Sequence, residues 1–132
     1  MDGIDTSVLI RYLVKDDLSQ YQQALTLLKA LPKIYLSPIV LVETAWVLSH
    51  FYKVKADKQC NKLRELLCLD CIMTDDRQAV LSAIEDYANG YDFADAMIGH
   101  HNTLKKCKTT WTFDRKASKL AEFSRIETPL SS

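Results

Sequence analysis

Stretches with helical periodicity alternate with short apolar or β-branched runs along this chain, and that alternation narrows its folds more than any other feature. Met1 to Asp5 reads as a short strand, and Thr6 or Ser7 can cap a helix carrying Val8, Leu9, Tyr12 and Leu13. A second amphipathic helix runs from about Ser19 to Leu31, where Pro32 stops it. Ile34 to Leu36 is a strand, and Ser37-Pro38 is a cap with proline at the first helical position. The helix that follows, to about Tyr52, is apolar on nearly every side and is expected to be largely surrounded by protein. Asp57 begins another helix, a strand lies near Cys71 to Met73, and Asp75 caps a helix that ends at Asn89-Gly90. Asp92 caps the next, through about Lys105. Thr109 to Phe113 is a strand, a last helix follows Asp114, and Arg125-Ile126 marks a final strand. Strands separated by helices imply an α/β sandwich around a mostly parallel sheet. At 132 residues, with no repeat, linker or low-complexity tract, residues 1–132 are expected to form a single domain.

Composition removes several function classes. The 17 basic and 17 acidic side chains balance, so net charge does not announce a nucleic-acid binder. Apolar runs fall far short of the ~20 residues that span a bilayer, and the start lacks the pattern of a secretory leader, so a cytoplasmic protein is expected. Cys68 and Cys71 form one CxxC with no second pair to complete a zinc site; with Cys60 and Cys107 they read as reduced, partly buried thiols.

The carboxylates carry the chemistry. Asp5 and Asp114 each follow a strand directly, and the carboxyl ends of strands form the ligand crevice of open α/β sheets. Glu43 has Ile39, Val40, Trp46 and Val47 one turn away, a setting in which a desolvated charge costs several kcal/mol without compensation. Asp95 stands three residues after Asp92, near one helix start. Converging oxygens suit Mg²⁺ or Mn²⁺, and such ions support phosphodiester hydrolysis by activated water without a covalent enzyme intermediate. Each residue also has a structural reading. Asp5 and Asp92 can be helix caps, Asp114 can start a turn, and Asp95 can complement a helix dipole.

Four segments, IDTSVLIRYLVKDD (residues 4–17), ETAWVL (43–48), DFADAMIG (92–99) and TWTFDRKA (110–117), resemble the successive motifs of PIN-domain nucleases, and most closely the VapC-type toxins of toxin–antitoxin pairs. The resemblance implies a three-layer PIN-like sandwich, with a mostly parallel central sheet flanked by helices, and an Mg²⁺- or Mn²⁺-dependent endoribonuclease. By position Asp5, Glu43, Asp95 and Asp114 match the family's catalytic, metal-holding acidic quartet, and Asp92 an accessory acidic position. Ser7 and Thr112 match supporting polar positions. The resemblance also implies an RNA substrate, an antitoxin partner and a homodimer. One departure is Asp2-Gly3, where an apolar strand is usual.

From Lys105 onward seven basic residues face three acidic ones, a flank suited to a phosphate backbone, and Arg11, Arg115 and Lys116 lie nearest the motifs. His50, His100 and His101 stand apart from the acidic pattern and are assigned no general-base role. Tyr12, Trp46 and Trp111 are expected in the core or a dimer contact. An aspartyl-phosphate enzyme would want a DxD segment, whereas Asp2 and Asp5 are three apart. A module that binds RNA or protein without cutting is the alternative, and it would be marked by a broken quartet.

Overall fold

The computed structural model describes residues 1–127. They comprise six α-helices and five short strands, every strand pairing parallel, so the chain is α/β. The chain divides into two compact units, Met1–Arg77 and the residues from Gln78 onward. Among the described residues no helix is long and apolar enough to cross a membrane.

In the first unit β1 (Asp2–Gly3), β2 (Ile34–Tyr35) and β3 (Ile72–Met73) form a sheet in the order β1-β2-β3. Asp2 pairs with Ile34, and Ile34 with Ile72. The Leu36 N–H extends the ladder to the Met73 carbonyl. Ile34, Leu36 and Ile72 are buried, as expected of strands covered by helices on their crossovers. Helices α1 (Thr6–Leu13) and α2 (Leu18–Ala30) connect β1 to β2, and α3 (Pro38–His50) and α4 (Ala56–Leu67) connect β2 to β3. Because the strands are parallel, α1 and α3 both start at the carboxyl edge of the sheet.

The second unit holds α5 (from Arg77 to Ala88), α6 (Phe93–Leu104), β4 (Thr110–Thr112) and β5 (Phe123–Arg125). Thr110 pairs with Phe123 and Thr112 with Arg125. Gly90 takes the left-handed turn after α5, at φ +98°. Ala117, Leu120 and Phe123 form a small buried cluster with Tyr91 against it.

Several local expectations are corrected. Asp5, not Thr6 or Ser7, caps α1, because its carboxylate reaches the Val8 N–H while Thr6 is already helical. The fourth helix starts at Ala56, one residue before Asp57. Asp75 lies two residues before α5 and accepts a 2.8 Å hydrogen bond from the Tyr35 hydroxyl. After Asp114 only a 3₁₀ turn forms (Ala117–Lys119), since the return to β5 leaves no room for a helix. The final strand begins at Phe123, ahead of its expected place at Arg125-Ile126.

The largest correction concerns α3. Leu41, Thr44, Ala45 and Leu48 form its buried face, but Ile39, Glu43, Trp46 and His50 form an exposed stripe. Apolar residues all round a helix hide which side is covered. Trp46 is 54% exposed and stacks on the His50 ring at 4.4 Å. Trp111 is likewise 58% exposed, so neither tryptophan belongs to the core.

Leu48→Ala is expected to cost about 2–5 kcal/mol by transfer and cavity terms, whereas Ile39→Ala stays within about 0.5 kcal/mol. Urea denaturation of both variants checks which face of α3 is buried.

Candidate metal-binding carboxylates

In the first unit Asp5 stands two residues past the end of β1, where the chain turns into α1. Its Oδ1 accepts from the Ser7 hydroxyl at 2.6 Å and from the Val8 N–H at 3.1 Å. The Ser7 bond first, and the Val8 bond after it, hold the Asp5 carboxyl below its ordinary value, so it is ionised and ready to meet a cation. Thr6, the residue between, donates a hydrogen bond from Oγ1 to Glu43 Oε1. Asp5 and Glu43 are thereby tied through adjacent residues of one helix start.

Glu43 is exposed, contrary to the desolvated setting expected of it, because it falls on the open stripe of α3. Asp5, Thr6, Ser7, Ile10, Arg11, Glu43 and Val47 line a shallow depression of about 400 Å³. Arg11 is held at its rim by a 3.0 Å pair with Asp16.

In the second unit Asp92 caps α6, its Oδ1 accepting from the Asp95 N–H at 2.8 Å. Asp95 is half-buried in the first turn. Burial, then the charges of Asp92 and Asp114, push its carboxyl above the ordinary value. Asp95 thus senses the charges of both Asp92 and Asp114, and a divalent cation would relieve that repulsion. Asp114 follows β4, and its own N–H donates to Thr112 Oγ1 at 3.0 Å. Asp114 Oδ1 accepts from the Lys116 N–H at 2.8 Å and from the Ala117 N–H at 3.3 Å. The Arg115 and Lys116 side chains beside it are exposed.

The donor set consists of carboxylate oxygens, the chemistry that Mg²⁺ and Mn²⁺ prefer. The hydrogen bonds described above for Asp5, Asp92 and Asp114 fall on Oδ1. A side chain can therefore serve its backbone through one oxygen and keep Oδ2 for another partner. Cap and ligand, alternatives in the sequence, are compatible in the structure.

Two features were not anticipated. The sequence marks Thr6 as a possible cap, whereas the structure makes it a positioning group for Glu43, a role its place beside Asp5 could signal. His100, apart from the carboxylates above, meets two other acids. Its Nε2 lies 2.7 Å from Asp86 Oδ2 and 3.8 Å from Glu122 Oε1, and separations of 14 and 22 residues give no local pattern to read. Together they make a group capable of holding a metal ion. None of the four cysteines is in a disulfide, and Cys60 is buried while Cys68 and Cys107 are exposed.

A protein-family model described as PIN domain matches residues 4–123, a span that includes every carboxylate described above. No curated protein matches the chain.

The raised Asp95 carboxyl fixes the sign of a pH effect. A raised folded-state value favours the protonated form, so the stability linked to it is present at low pH and lost as pH rises through that value. In EDTA, Asp95→Asn is expected to melt above wild type at pH 7. The gap should close as pH falls below the folded-state value. Thermal denaturation across pH checks both statements, and saturating Mn²⁺ should narrow the gap at pH 7 by stabilising wild type more.

Proposed function

Because the chain belongs to the PIN domain family, whose members are generally nucleases, we propose that it is a divalent-metal-dependent endoribonuclease and the toxin of a toxin–antitoxin pair. The observation that carries the reading is made in each unit by itself: in the first, Asp5 and Glu43 are tied through the start of α1, and in the second, the charge of Asp95 is opposed by Asp92 and Asp114. The match spans both compact units, which supports treating residues 1–132 as a single PIN-like domain.

In this reading Asp5, Glu43, Asp95 and Asp114 hold Mg²⁺ or Mn²⁺, with Asp92 as an accessory ligand. When bound, such an ion neutralises phosphate charge and acidifies water for hydrolysis of an RNA phosphodiester. The chain's own groups prepare this. Ser7 and the Val8 N–H keep Asp5 ionised, and Thr6 fixes the Glu43 carboxylate. Thr112 restrains the backbone N–H of Asp114. Arg11, Arg115 and Lys116 supply cations for the RNA backbone, and single exposed cations of this kind contribute chiefly a salt-dependent affinity. The family pattern further supports a homodimer, an antitoxin partner and a cytoplasmic setting. Ile39 and Trp46, exposed on α3, are suited to a protein interface. A module that binds RNA without cleaving it is the second reading, and the intact carboxylate set weighs against it.

Purified protein incubated with structured RNAs in Mg²⁺ or Mn²⁺ is expected to cut them, and EDTA to abolish cutting. Asp5→Asn and Glu43→Gln should each reduce the rate by about 10²-fold or more, the scale of losing one group that acts on the transition state. Cutting that survives in Asp5→Asn would assign the activity elsewhere. RNA binding without cutting would favour the second reading.

A further inference from the structure

We propose that Asp86, His100 and Glu122 form a second metal site, separate from the carboxylates above, that takes a divalent transition-metal ion of the Zn²⁺ type. The site lies wholly within the second unit and does not depend on the nuclease reading. Asp86 comes from the last turn of α5, His100 from α6, and Glu122 from the residue before β5. Their ligating atoms all lie within 4.8 Å of one another, and each side chain is about one-fifth exposed or less.

Geometry, charge and packing each support the assignment. Ligands about 2.0–2.1 Å from a tetrahedral ion stand roughly 3.3 Å apart. The His100–Asp86 and His100–Glu122 separations, 2.7 and 3.8 Å, straddle that value, so an ion needs only small side-chain shifts. Two carboxylates share one imidazole, which leaves the group net negative in either protonation state of the ring. Asp86 is also at the carbonyl end of α5, where the helix dipole disfavours a carboxylate and a cation offsets it. Mixed nitrogen and oxygen donors suit Zn²⁺ better than Mg²⁺.

Gly99 explains why Glu122 comes so near. A Cβ at Gly99 would stand 2.5 Å from the Phe123 ring and 3.2 Å from the Glu122 Cβ. The missing side chain admits the β5 entry against α6, one residue from His100. The Glu122 carbonyl accepts the Thr110 N–H at 2.9 Å, fixing this segment to β4.

Co²⁺, whose visible absorption reports nitrogen and oxygen coordination, is the probe, titrated into full-length protein and then displaced with Zn²⁺. Wild type and an Asp5→Asn/Asp114→Asn double variant are both expected to give the Co²⁺ bands and to melt higher with Zn²⁺. His100→Gln should abolish the bands, and Glu122→Gln should weaken Zn²⁺ binding at least about 10-fold. Glu122→Gln keeps the size of the side chain, so the test survives a failure of His100→Gln to fold. Binding lost only in the double variant, binding unchanged in Glu122→Gln, or no binding in wild type would each overturn the proposal and leave His100 as an ion-pair partner of Asp86.

Discussion

Every parallel strand that runs into a helix delivers a set of backbone N–H groups with no helical acceptor, and this chain meets that requirement with aspartate and serine. Asp5 closes the start of α1 and Ser37 that of α3, while Asp114 closes the turn after β4; Asp92 does the same for α6, which follows a helix rather than a strand. Buried or half-buried amides left unsatisfied would cost more than the net value of an ordinary hydrogen bond. Parallel topology thus demands short polar acceptors at strand ends, and the same places gather the residues on which metal chemistry would draw. A carboxylate has two oxygens, so one side chain can serve both structure and the proposed chemistry.

Much of this was legible in the sequence, for physical reasons. Proline after Ser37, glycine after Asn89 and the helical spacing of leucines are local signals, and each element they predict is present within a few residues. Asp92 as the α6 cap follows from the same local logic. Burial of α3 did not follow. Ile39, Val40, Trp46 and Val47 make its sides look alike, and only tertiary packing reveals that Glu43 and Trp46 face outward. The tie from Thr6 to Glu43 and the grouping of Asp86, His100 and Glu122 are long-range juxtapositions, invisible to periodicity.

Charge in the second unit is organised by opposition. Asp95 bears the burial and the field of its neighbours, whereas Asp5 is relieved by a hydroxyl and an amide. The contrast separates a carboxylate that is comfortable alone from one that gains when positive charge arrives. Sites that trade folded-state comfort for chemistry commonly show such strain in charge rather than in backbone.

The double duty of Asp5 has a consequence for genetics. On the proposed reading, alanine there would delete both a cation-holding oxygen and the acceptor that starts α1, so a silent phenotype would confound lost activity with lost abundance. Asparagine keeps a carbonyl oxygen for the Val8 amide and removes the charge. On the proposed reading, alleles at this one codon therefore divide into those that lower the amount of the protein and those that leave it present but inert.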